Sequence, residues 1–122
     1  MARILIVDDS PTETFRFKEI LNQHGFDVLE AVNGADGVTM AQAELPDLVL
    51  MDVVMPGVNG FQATRQLARD DATKHIPIVI VSTKDQETDR AWGKQQGACD
   101  YLTKPIDEAL LIQTIKYHLN EK

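Results

Sequence analysis

RILIVDDSPTE, residues 3–13, decides the fold. Residues 4–7 are an apolar, mostly β-branched run of strand length. The run is continuous rather than alternating, which suits a central strand of a parallel sheet covered on both faces. The second half signals a helix. Ser10 can serve as N-cap, Pro11 stands at the first helical position, and Glu13 completes a capping box. Between strand and helix lie two adjacent carboxylates, Asp8 and Asp9. Side by side at the end of a buried strand they repel each other, and this costs folding energy unless a positive group sits beside them.

The strand-then-helix unit recurs along the chain. LVLM (48–51) and IVIV (78–81) are further continuous runs, while DVLEA (27–31) and DYLT (100–103) are weaker ones. Helices are expected over 11–24, 34–44, 59–69, 85–96 and 106–119. Phe15, Ile20 and Leu21 form the apolar stripe of the first. Ile106, Leu110, Leu111, Ile115 and Leu119 form that of the last. Five alternations imply right-handed crossovers and an α/β, doubly wound (βα)5 fold. This is the flavodoxin-like three-layer sandwich, whose five parallel strands run in the order 2-1-3-4-5.

Composition narrows the function. The chain has 122 residues, 43% of them hydrophobic and 25% charged, as expected of one soluble globular domain. A net charge of −7 argues against nucleic acid or an anionic membrane surface as partner, and is compatible with binding a cation or with a merely solubilising surface. The single cysteine, Cys99, excludes an internal disulfide and reads as a small packed residue. No apolar run is long enough for a signal peptide or a membrane span, so a cytoplasmic location is expected. No repeat or linker interrupts residues 1–122, which read as a single domain, and no basic helix-turn-helix or other output domain is expected beyond the fifth helix.

In an open parallel sheet, ligands bind beyond the carboxyl ends of the strands. The residues at those ends are Asp8 and Asp9 after strand one, Asp52 after strand three, Ser82 and Thr83 after strand four, and Lys104 with Pro105 after strand five. Each has an ordinary alternative. Asp9 could assist the cap of the first helix, Asp52 could be a turn residue before Pro56-Gly57, Ser82 and Thr83 could cap the fourth helix, and Lys104 could be solvated. Helix capping does not account for two consecutive acids, a third on the adjacent strand and a lysine on the same rim. A divalent cation does. Few carboxylates with room for water and a phosphate oxygen favour Mg²⁺; no twelve-residue acidic loop suggests Ca²⁺, and no His or Cys cluster suggests zinc. Carboxylate, cation, hydroxyl and ammonium together match phosphoryl transfer to a carboxylate. Asp52, solitary and central, is the best nucleophile, with Asp8 and Asp9 placed to hold the cation.

These ordered motifs, DD, DVVMPG, ST and KP, resemble the receiver domain of two-component response regulators over residues 3 to 119. Within that family the chain is similar to the stand-alone, CheY-like type. The stretches MPGVNGFQATRQL and STKDQETDRAWGKQQGACDYLTKP resemble PilH-like twitching-motility regulators of type IV pilus systems. The resemblance implies that Asp52 accepts a phosphoryl group from a histidine kinase. It implies that Asp8, Asp9, Asp52 and the backbone carbonyl of Val54 bind Mg²⁺. Ser82 would move its hydroxyl towards the phosphoryl group, and Lys104 would pair with one of its oxygens. Lys104-Pro105 would be cis, and Tyr101 would be the aromatic that turns inward on activation. The helix 4–strand 5–helix 5 face would then dock a protein target, or the chain would drain a shared kinase as a phosphate sink.

Thr83 is bulkier than the residue usual at its position in that family. Asn59 replaces an Asp as a turn or helix-cap exchange. Trp92, on the fourth helix, is either partly buried or an aromatic anchor on the output face. His24, His75 and His118 read as surface residues. Two rivals remain. A Mg²⁺-dependent aspartyl-phosphate phosphohydrolase would need a substrate pocket and a second acid two residues after Asp52. A flavodoxin would need a phosphate-cradling loop where Asp8 and Asp9 stand. No dedicated small-molecule substrate, and so no enzyme in that sense, is expected.

Overall fold

A computed structural model describes residues 2–120. The elements follow in strict alternation: β1 (Arg3–Val7), α1 (Pro11–Gln23), β2 (Asp27–Ala31), α2 (Gly34–Glu44), β3 (Leu48–Met51), α3 (Gly60–Arg69), β4 (Ile78–Ser82), α4 (Glu87–Gln96), β5 (Asp100–Thr103) and α5 (Glu108–Leu119). All neighbouring strands pair in parallel, in the order β2-β1-β3-β4-β5. This is the doubly wound (βα)5 sandwich that the strand–helix alternation predicts.

The continuous apolar runs are needed because both faces of the sheet are covered. Successive side chains point to opposite faces. Ile4, Ile6, Leu48, Leu50, Val79 and Val81 pack with Phe17, Leu21, Leu111 and Ile115 of α1 and α5. Leu5, Val7, Val49, Met51, Ile78 and Ile80 pack with Val38, Ala41, Ala63 and Leu67 of α2 and α3. Complete burial of one such side chain is worth about 1.5–3 kcal/mol. The helices on the second face are not equally anchored. Of the residues of α4 only Gly93 is buried; a Cβ there would lie 2.9 Å from the end of Ile80 and 3.2 Å from the Tyr101 ring.

Four assignments from the sequence change. Phe15 is 63% exposed, and Phe17 takes the core position with Thr14, Ile20 and Leu21. A residue two places from Phe17 is rotated about 200° around the helix and cannot share its stripe. Leu110 is exposed, while Ile112 and Ile115 face inward; Ile106 is buried but precedes α5, whose N-cap is Asp107. His118 is buried in the last turn of α5, with Nε2 3.0 Å from Asp100 Oδ2. Cys99 is exposed rather than packed, at the entrance to β5. His24 and His75 are exposed, as expected.

Candidate functional site

Backbone register brings the rim residues together. Val7 pairs with Met51 across β1 and β3, and the next rung is made by the Asp52 N–H donating to the Val7 carbonyl at 2.9 Å. Asp52 therefore sits opposite Asp8. On the other side of β3, the Lys104 N–H donates to the Ser82 carbonyl at 2.8 Å, tying the β5 tip to the β4 tip. The Lys104-Pro105 peptide bond is cis.

Asp8, Asp9 and Asp52 each present a carboxylate oxygen, and the three atoms lie within 4.8 Å of one another. Asp8 and Asp52 are buried, at 2% and 7% exposure, and Asp9 is open to solvent. Lys104 is the ammonium among them. Its Nζ stands 3.0 Å from Asp8 Oδ2, 3.7 Å from Glu13 Oε1 and 3.9 Å from Asp52 Oδ1. Burial opposes the charge on Lys104, but the hydrogen bond to Asp8 and the charges of Asp52, Asp8 and Glu13 outweigh it, so its pKa is raised.

One cation does not balance this cluster. Burial pushes the Asp52 carboxyl up from 3.8 to about 6; Lys104 draws it down, the neighbouring Asp8 pushes it further up, and backbone N–H groups of Val53 and Val54 draw it down. The Val53 bond to Oδ1 is 2.8 Å. A surplus of hard, anionic oxygens with one open side fits a small divalent cation, and the donor set suits Mg²⁺. Val54 lies in the loop after β3 with its side chain exposed.

Ser82, Tyr101 and Thr83 occupy or border the adjoining β4–α4 loop. Ser82 is fully buried and its Oγ accepts from the Lys84 N–H at 3.1 Å. The Tyr101 hydroxyl donates to the Lys84 carbonyl at 2.6 Å, and Arg90 lies 5.3 Å from the centre of its ring. Tyr101 is thus already inward, at 4% exposure, and burial raises its pKa. Neither Ser82 nor Thr83 caps α4; Gln86 does, and Thr83 is exposed. Trp92 is 49% exposed on α4.

The sequence does not mark two residues as belonging to the site. Gly60 begins α3 directly behind the acceptor strand, and a Cβ there would stand 1.9 Å from the Asp52 carbonyl oxygen. The Asn59–Gln62 capping box that starts this helix is the available signal, since it fixes Gly60 at the first helical position. Glu13 is the other. The expected capping box at α1 is half made: Ser10 Oγ accepts the Glu13 N–H at 3.3 Å, but the Ser10 N–H donates to Asp8 Oδ1 at 2.9 Å.

A parallel five-stranded sheet with a carboxylate cluster and a lysine at its carboxyl rim defines a class, and the chain belongs to it: it is a member of the response regulator receiver domain family, which matches residues 4–116. The chain is 65% identical over 115 residues to Protein PilH of Pseudomonas aeruginosa, covering 94% of this chain and 95% of that one. Among solved structures, the Vibrio cholerae chemotaxis protein CheY4 has a TM-score of 0.90 at 29% identity, over 96% of this chain and 98% of that one. The receiver domain of sensor histidine kinase PA1611 from P. aeruginosa, which has a magnesium ion coordinated in its active site cleft, has a TM-score of 0.92 at 28% identity over 98% of each chain.

Proposed function

We propose that this chain is a phosphorylation switch in which Asp52 takes a phosphoryl group from a histidine kinase with Mg²⁺ as cofactor. The supporting observation is the meeting of a buried, central Asp52 with Asp8, Asp9 and Lys104. An Asp52 oxygen attacks phosphorus as the bond to the kinase imidazole nitrogen breaks, and the imidazole leaves with the bonding electrons and takes up a proton. Asp8, Asp9, Asp52 and the Val54 carbonyl would hold Mg²⁺, which would supply charge neutralisation on the phosphoryl oxygens. Lys104 neutralises them from the β5 side, and Ser82 donates its hydroxyl once it releases the Lys84 N–H.

The acyl phosphate adds about −1.5 to −2 charge. Ser82 and Lys104 are drawn to it, the β4–α4 loop follows Ser82, and Tyr101, bonded to that loop, stabilises one of its two positions. The α4–β5–α5 face, with Trp92 exposed, changes shape and docks a protein target. The kinship to PilH and the two stretches resembling twitching-motility regulators support a role in pilus-motility signalling in the cytoplasm, by target docking or by draining a shared kinase. No small-molecule substrate is turned over. Residues 1–122 act as one receiver unit, with Pro105 structural and Thr83 bordering the phosphoryl site.

Incubation with Mg²⁺ and acetyl phosphate, followed by intact-mass measurement, tests this. Wild type should gain the mass of one phosphoryl group and Asp52→Asn should not. No gain in wild type, or equal gain in both, refutes it.

A further inference from the structure

Glu13 is a carboxylate that neither the α1 cap nor the proposed chemistry uses. In a full capping box it would accept the Ser10 N–H. Asp8 Oδ1 has taken that donor at 2.9 Å, so the Glu13 side chain is released from the helix end and its Oε1 stands 3.7 Å from Lys104 Nζ. An ammonium carries three protons. Asp8 Oδ2 holds one at 3.0 Å, and Glu13 at 3.7 Å and Asp52 at 3.9 Å lie at nearly equal distance from the same Nζ. Two carboxylates with different consequences therefore compete for one charge.

We propose that Glu13 is a positioning residue for Lys104, drawing the ammonium towards α1 and away from Asp52 and so slowing phosphoryl uptake. The inference rests on the reading of Asp52 as the acceptor. Neutralising Asp8 loosens the strongest tether of Lys104, and the remaining choice lies between Glu13 and Asp52. The Glu13 side chain is 30% exposed and the Lys104 side chain 11%, so solvent screens the attraction only in part. The expected size is that of a partly exposed ion pair, about a three- to fivefold change in rate.

Glu13→Gln removes the charge while keeping side-chain length. Glu13→Asp keeps the charge but draws it back by one methylene. Both leave the cap from Ser10 to the backbone N–H intact. The measurements are the rate of phosphorylation by acetyl phosphate at saturating Mg²⁺ and the ¹⁵Nζ resonance of Lys104 in the unphosphorylated protein. The glutamine variant should react about three to five times faster than wild type and shift the Lys104 resonance, with the aspartate variant between the two. A glutamine variant no faster than wild type, an aspartate variant at or above the glutamine one, or a Lys104 resonance unmoved by either overturns the inference. If wild type takes up no phosphate, the acceptor reading falls with it, whereas an unmoved resonance in a reactive wild type refutes only the role of Glu13.

Discussion

Replacing Asp52 by asparagine should stabilise the metal-free protein. The native pKa of Asp52 is about 6, above the ordinary 3.8, with burial the largest cause. The folded state therefore binds more protons at this site than the unfolded state between those values, and stability falls as pH rises through that window. Below pH 3.8 the carboxyl is neutral in both states and costs nothing. Well above pH 6 the full cost applies, and the shift corresponds to about 3 kcal/mol. The amide introduced by Asp52→Asn would keep an oxygen to accept the Val53 N–H, now 2.8 Å from Oδ1, and carries no charge to bury. Allowing for relaxation around the amide, urea denaturation in EDTA should place the variant about 2 kcal/mol above wild type near neutral pH, a rise in Tm of roughly 5–10 °C. The gap should close as pH falls towards 4. Mg²⁺ should narrow the gap near neutral pH, because binding to the native state stabilises wild type while the variant has lost a ligand oxygen. A variant no more stable than wild type in EDTA near neutral pH, or a gap independent of pH, refutes the reasoning.

Other substitutions probe other links. Lys104→Met strands Asp8, whose side chain is 3% exposed, and should cost about 3 kcal/mol in EDTA by chemical denaturation, with Mg²⁺ recovering part of the loss. Because the Lys104 pKa is raised, its stabilising charge persists through neutral pH and is lost only as pH climbs through that raised value, so the wild-type advantage over Lys104→Met should shrink only in strongly alkaline solution. Gly60→Ala forces a Cβ to within 1.9 Å of the Asp52 carbonyl oxygen; it should cost about 3 kcal/mol or more and impair phosphorylation, read by thermal melts and intact mass. Thr64 Oγ1 is fully buried with no hydrogen-bond partner among the described residues, so Thr64→Val should raise stability by about 1 kcal/mol in the same melts.

The rim was legible in the sequence because register in a parallel sheet is set by apolar runs. Once 4–7, 48–51, 78–81 and 100–103 are strands, their following residues must share an edge, and Asp8, Asp52 and Lys104 meet there. Side-chain direction was not legible. Glu13 occupies a capping-box position, yet a neighbour in space, Asp8, took its hydrogen-bond donor. His118 lies on a helix end but faces Asp100 of a strand eighteen residues earlier. Phe15 and Phe17 are both aromatic and two apart, and only the orientation of α1 against the sheet decides which is buried. Gly60 is hidden in the sequence because a glycine after an N-cap looks like turn chemistry until the backbone it touches is known.

The bare backbone turn through which α4 meets Ile80 and Tyr101 has a thermodynamic corollary. A helix seated on a glycine surrenders little apolar contact when it tilts, so its displacement lies far below global unfolding on the free-energy scale. Amides of α4 should exchange with deuterium before those of α1 or α5. Under the proposed switch, reciprocity of linkage then requires that a partner gripping this lightly moored helix also change how firmly the rim holds a phosphoryl group.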